Sequence, residues 1–206
     1  MRKCSFLTLE LALLLALAVT LLWGAWSLHR QDDLQEKMIR LHVIANSDSD
    51  ADQTLKLCVR DAVLCRAEEI LRQSADMTEA RARLRDSLPA IGDAAAQELA
   101  AQGSGYSVSV ALEDTEFPCK TYDGFALPAG EYLALRVLIG EAAGQNWWCV
   151  VFPPLCTAAA SDVPTVALDA GLTDQEVALI TEADEGYILK FKSVELWQTL
   201  KAKLTK

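Results

Sequence analysis

The sequence predicts an α+β fold: an antiparallel sheet covered on one face by helices, preceded by an N-terminal signal or transmembrane helix. Three observations carry this. An apolar run dominates the first thirty residues, apolar side chains then recur at helical spacing between about Ser49 and Gln102, and from Tyr106 onward the period changes to two. Helices gathered in one block and strands in another are the pattern of α+β rather than of alternating α/β folds.

The N-terminal segment has the build of an export signal. Arg2 and Lys3 precede an apolar stretch from Phe6 to Trp26 that is interrupted only by Glu10. The positive end stays in the cytoplasm while the rest of the chain crosses the membrane, so the folded part is expected outside. Two fates are open to the segment. Ala16-Leu17-Ala18 has cleavage-site spacing but lies in the middle of the apolar run, and Trp23-Gly24-Ala25 puts a bulky Trp where a small residue is wanted. About twenty apolar residues are enough to span a bilayer, so residues 6–26 would also serve as an uncleaved anchor. The expected organisation is a signal peptide or transmembrane anchor over residues 1–30 and a single extracytoplasmic domain over residues 31–206.

The chain of 206 residues is 51% hydrophobic and 23% charged, which suits a folded domain rather than a disordered one. Its formal net charge is −10. Setting aside Arg2, Lys3, Arg30 and Glu10 leaves 16 basic and 28 acidic residues, so the acidity, a formal −12, belongs to the domain. A surface of this sign repels phosphate backbones, and nucleic acid is not expected as a partner.

After a polar joint from His29 to Lys37, Ile39, Leu41 and Val43 alternate with Arg40, His42 and Ile44, the period of a half-buried strand. The polar run Asn46 to Asp50 stops it. Ser49 and Asp52 have capping-box spacing and predict a helix to about Gln73. Around that helix Leu55, Cys58, Val59, Ala62, Val63, Cys65 and Ile70 share one broad face, while Leu57, Leu64 and Leu71 form a stripe nearly opposite, for the next helix or for a partner. Ala80, Leu84, Leu88, Ile91, Ala95 and Leu99 mark the next helical segment; Pro89 removes a donor within it, which predicts a kink or two consecutive helices, and Gly103 and Gly105 end the block. Beyond the alternation from Tyr106 to Leu112, strand candidates run from Phe117 to Tyr122, Glu131 to Ile139 and Asn146 to Phe152. The turns between them are short, which favours antiparallel hairpins. A loop from Thr157 to Asp162, a short helix capped by Thr173 and Glu176, a last strand through Tyr187, Leu189 and Phe191, and a terminal helix from Ser193 complete the series.

Chemistry is sparse. Only two histidines are present; His29 abuts the apolar segment and His42 sits on a strand beside Arg40. No His or Cys pair has zinc spacing, no Gly-x-Ser-x-Gly elbow occurs, and no Gly-rich loop leads from strand to helix. Asp48, Asp50 and Asp52 alternate like a calcium loop but lack its Gly and its distal Glu, so helix capping explains them. No catalytic residue, metal or cofactor is predicted. Cys58 and Cys65 share a helix face about 10.5 Å apart along the axis, too far for a disulfide, and are expected as buried thiols. Cys149 and Cys156 flank Pro153-Pro154, which would bend the chain and bring them together; Cys119 competes as a partner. Trp147 and Trp148, adjacent on a strand, must point to opposite faces. One of them is therefore either covered by another element, such as the C-terminal helix, or an exposed anchor for a protein partner.

The block from Ile39 to Ser49, followed by Asp52-Gln53, Leu55-Lys56-Leu57 and Val59-Arg60-Asp61, resembles the front signature of the stage II sporulation protein R family. So do Leu127 to Tyr132, Ala134 to Val137, Ile139-Gly140, Asn146 to Cys149 and Phe152 to Cys156. The resemblance implies a non-catalytic protein made in the forespore and exported to the space between the forespore and mother-cell membranes. There it would activate a membrane-embedded aspartic protease of the mother-cell septal membrane, which processes the precursor of the mother-cell sigma factor. On this reading the candidate partner contacts are Arg40, His42, Asn46, Asp48, Lys56, Arg60, Asp61, Trp147, Trp148, Pro153 and Pro154, although Arg60 and Asp61 would equally form an internal ion pair. Two rival classes stand beside it: an exported hydrolase using Cys149 or Cys156 with His42, and a structural envelope protein.

Overall fold

The computed structural model describes residues 10–22, 33–155 and 162–181. Contacts divide the chain into two compact units, residues 1–34 and residues 35–206. The first contains helix α1, described over residues 10–22, with its leucines and Val19 exposed. At 1.5 Å per residue that part is about 20 Å long, against a bilayer core of about 30 Å. Among the described residues no helix is long and apolar enough to cross a membrane; the rest of the Phe6–Trp26 run lies outside them.

The second unit is α+β, but its main sheet is mixed where an antiparallel one was expected. The strands are β1 (Ile39–Ile44), β2 (Val108–Phe117), β5 (Gly130–Ile139) and β6 (Asn146–Phe152), in the order β2-β5-β1-β6. Strand β1 runs parallel to β5 and antiparallel to β6, while β2 pairs antiparallel with β5. The expected hairpin between β5 and β6 does not form, because β1 lies between them. Strands two places apart are separated by about 10 Å, a gap that residues 140–145 bridge across the end of β1. Being central, β1 is buried on both faces, not half-buried as its alternation suggested.

Helices α2 (Asp50–Leu71) and α3 (Met77–Ala101) supply the cover. Ser49 caps α2 as its spacing predicts, its Oγ accepting the Asp52 N–H at 3.2 Å. Val59, Val63, Ala67 and Leu71 of α2 and Ala80, Leu84, Ile91, Ala95 and Leu99 of α3 form one core with Ile39, Leu41, Val43, Leu135 and Val137 of the sheet. Cys58 is only half-buried and Cys65 is exposed, which corrects the expectation of two buried thiols. The buried line of α2 passes through Val59, Val63 and Ala67 and leaves Cys65 on the outer side. Helix α3 continues through Pro89 as one element, with buried Leu84 and Ile91 holding both halves on the same core.

The expected strand from Phe117 to Tyr122 is divided. Phe117 closes β2, Pro118 has no N–H to continue a ladder, and Lys120–Tyr122 begins a separate two-stranded sheet, β3, with β4 (Phe125–Leu127). Helix α4 (Val163–Asp169) was not anticipated, although Asp162 at its N-cap and Pro164 in its first turn signal it. Helix α5 (Asp174–Thr181) was, and its capping box is reciprocal: Thr173 N–H donates to Glu176 Oε2 at 2.7 Å and Glu176 N–H to Thr173 Oγ1 at 3.3 Å. Helix α5 packs against β4. The strand through Tyr187 and the helix from Ser193 fall outside the described residues.

Candidate functional site

Alternation along β1 divides the sheet into two unlike faces. Ile39, Leu41 and Val43 point into the core beneath α2 and α3. Arg40, His42 and Ile44 point the other way, and the pairing register sets Arg136 of β5 and Trp148 of β6 on either side of His42. There the His42 ring stacks on Trp148 with centroids 4.9 Å apart and meets the edge of Phe117 at 5.9 Å. His42 Nε2 lies 2.8 Å from Asn146 Oδ1. Burial, and the positive charges of Arg136 and Arg40, lower the His42 pKa below the ordinary histidine value against the opposing Asn146 hydrogen bond. A neutral ring with Nε2–H donating to Asn146 fits that environment.

Arg40 is 0% exposed. Its guanidinium carbon sits 4.0 Å from the Phe117 centroid and 4.8 Å from that of Tyr132, and its Nη2 donates to Tyr122 Oη at 2.6 Å. Among the described residues Arg40 Nε and Nη1 meet no acceptor, nor do the buried Arg136 Nε and Trp148 Nε1 donors. Removing a cation from water costs roughly several kcal/mol, and a desolvated cation–π contact returns only about 2 kcal/mol. The face turned away from α2 and α3 is therefore costly to maintain.

The remaining polar residues of the front block have structural partners. They tie the turn after β1 to the link between β5 and β6. Gly144 N–H donates to Ala45 O at 3.0 Å and Ala143 N–H to Asn46 O at 3.2 Å. Asn46 Oδ1 accepts the Glu141 N–H at 3.0 Å, and Asp48 Oδ1 accepts that of Gln145 at 2.7 Å. Lys56 Nζ reaches Gln145 O at 3.0 Å and Gln53 Oε1 at 2.5 Å; burial lowers its pKa. Asp52 accepts from Asn46 Nδ2 at 2.9 Å and from Ser47 Oγ at 2.5 Å, and these bonds, Asn46 first, depress its pKa. A Cβ at Gly140, where φ is +57°, would strike the Asn46 side chain, and one at Gly144 the Ser47 carbonyl.

Four of the predicted contact residues do come together. Arg60, Asp61, Trp147 and Trp148 line a cleft of about 720 Å³ along β6, between α2 and the β3–β4 hairpin. Trp147, 37% exposed, lies under the Arg60 guanidinium at 4.4 Å, and Arg60 pairs with Asp61 at 2.7 Å. The two tryptophans take opposite faces, as strand geometry requires. Lys120 Nζ stands 5.4 Å from the Trp148 ring, and Tyr122 stacks on Phe125 at 4.7 Å. Leu64, from the second apolar stripe of α2, lines the same cleft. Lys120, Tyr122, Asp123 and Phe125 were not singled out from sequence, where Tyr122-Asp123-Gly124 read only as a turn. Pro154 lines a different groove, with Leu71, Arg72 and Ala170, and Pro153 is buried.

Cys149 is 4% exposed and belongs to the core, so it faces away from His42 across the sheet. A Cys149–His42 dyad is incompatible with that placement. Cys156, and with it the expected pairing, lies outside the described residues. Among the described residues no group of His, Cys, Asp and Glu is arranged to hold a metal.

The family model for stage II sporulation protein R matches residues 35–162. Stage II sporulation protein R of Bacillus subtilis (strain 168) is 42% identical over 123 residues, which are 60% of this chain and 55% of the relative, so the chain spans about half the length of the relative it matches. No solved structure matches. The matched residues contain the whole mixed sheet, both covering helices and the cleft, and on that ground the chain belongs to the stage II sporulation protein R family.

Proposed function

We propose that this chain is an exported, non-catalytic sporulation signal that docks on a membrane-embedded aspartic protease and shifts it to its active arrangement, leading to processing of the mother-cell sigma factor precursor. The observation that carries the reading is the cleft along β6, where Arg60, Asp61, Trp147 and Trp148 meet. An exposed indole beside an arginine is the composition of an interface anchor rather than of a reaction centre. A ligand shifts such an equilibrium only through its differential affinity for the two states, so the anchor residues are where activation is set. The basic start and apolar run of the N-terminus support export, with residues 6–26 either removed or retained as a membrane anchor.

The test is complementation of a sporulating strain lacking the protein, with precursor processing as the readout. The full chain restores processing, whereas Trp147→Ala weakens docking by about 2 kcal/mol, roughly thirtyfold in affinity. Processing at full strength without the protein, or with Trp147→Ala present at normal level, overturns the proposal.

A further inference from the structure

We propose that the sheet face opposite α2 and α3 is a carboxylate-binding site, anchored by Arg40 and entered from the β6 cleft, and that its occupant is an Asp or Glu side chain carried by the docking partner. The inference rests on the docking reading and adds the chemistry of what docks. Its observation is a guanidinium with no solvent exposure and, among the described residues, no ion pair and two nitrogens, Nε and Nη1, without an acceptor. Buried polar groups are ordinarily satisfied, and a buried cation is ordinarily matched by an anion.

The neighbouring groups have the same need. Arg136 Nε and Trp148 Nε1 are also buried donors without acceptors among the described residues, and the register places them on the same face in the row that crosses His42. Arg136 Nη1 is already paired with Glu113, whereas the fully buried Arg40 has no ion pair among the described residues. Among the described residues the four unfilled donors, Arg40 Nε and Nη1, Arg136 Nε and Trp148 Nε1, outnumber the one bare acceptor, the His42 Nδ1 left by the Nε2–H tautomer, and a carboxylate supplies both the missing acceptor oxygens and the missing negative charge. Access is set by Tyr122 and Trp148. Both line the cleft; the Tyr122 hydroxyl takes the Arg40 Nη2 hydrogen bond, and Trp148 stacks on His42. Tyr122 ends β3, the more exposed strand of a hairpin that pairs with β4 and not with the main sheet, while β4 is buried and packs against α5. An incoming carboxylate displaces the phenol from Arg40 without breaking the main sheet.

The experiment uses the full chain in neutral detergent and follows the Arg40 Nε–H and Trp148 Nε1–H signals by NMR. The Arg40 signal is assigned through bonds to its own backbone, so no variant is needed for the first arm. Acetate and N-acetylglutamate amide are titrated against chloride and acetamide at matched ionic strength. The expected result is a saturable shift of both signals with the two carboxylates only, with Arg40→Met weakening the Trp148 response at least about tenfold. No saturable shift, or the same shift with chloride or acetamide, overturns the site. A carboxylate response together with wild-type precursor processing by Arg40→Met overturns the partner as source of the occupant. Trp147→Ala separates the two readings: undiminished processing in that variant refutes the cleft as docking surface but leaves the acetate response of Arg40 to stand or fall alone.

Discussion

The two faces of β1 are built from alternate residues of one six-residue strand, yet they obey different rules. On one side Ile39, Leu41 and Val43 are fully buried among aliphatic neighbours of two helices. On the other, Arg40 and His42 are almost as buried, but among rings and donors whose hydrogen-bonding capacity is only partly used by the described residues. The first face gains stability from volume and apolar area. The second spends it, and sites that break the rules of consistent packing are where function is commonly lodged.

The largest test of this contrast is a pair of neighbouring substitutions. Leu41→Ala leaves a cavity in the core and is expected to destabilise the domain by about 2–5 kcal/mol, read as a lower midpoint in urea unfolding. Arg40→Met, one residue away and equally buried, removes a cation that has no ion pair among the described residues and fills its volume; the change is expected to stay within about 1 kcal/mol, or to be stabilising. Equal losses for the two variants would erase the distinction between the faces.

A smaller effect comes from the turn that seals the end of β1. Hydrogen bonds from Asn46 and Ser47 hold the Asp52 carboxyl below the usual aspartate range. A carboxyl with a depressed folded pKa stabilises the fold fully above its unfolded value near pH 4 and loses that contribution as pH falls through the folded value. Asp52→Asn should therefore flatten the decline of stability on acidification below about pH 4, measured as urea midpoints against pH.

The smallest effect belongs to His42. Its folded pKa is lowered by burial, so its contribution is complete above the ordinary histidine value and fades as pH drops through the folded one. An NMR titration is expected to place the midpoint of His42 below about 6.5, with no counterpart on the opposite face, where Leu41 and its neighbours have nothing to protonate. A midpoint at or above that value would mean that the ring is better solvated than its stacking on Trp148 implies.

Much of this was legible in the sequence because local rules decide it. The alternation of Ile39 to Ile44, the Ser49 cap, the Thr173–Glu176 box and the opposed directions of Trp147 and Trp148 each depend on neighbours within a few residues. Strand pairing does not. Placing β1 between β5 and β6 depends on contacts about a hundred residues apart, such as Ile39 with Phe152, and no turn signal reports them. The same limit applied to the site. Arg60 and Trp147 were identifiable singly, whereas Lys120 and Tyr122 became candidates only when the β3–β4 hairpin was seen lying beside β6. The polar front block illustrates a further limit: Asn46, Asp48 and Lys56 look available for recognition in the sequence, which does not show that each also fastens one loop to another.

That arrangement of β1 also constrains the order of assembly. A strand near the start of the folded unit must wait for two partners synthesised late, so the central ladder cannot close until the chain has been made through Phe152. Long-range pairing of this kind slows folding relative to local helix formation. A nascent or truncated chain ending before Gly130 would hold both covering helices, β1 and β2, but without β5 to join the two strands the main sheet that the helices cover could not form.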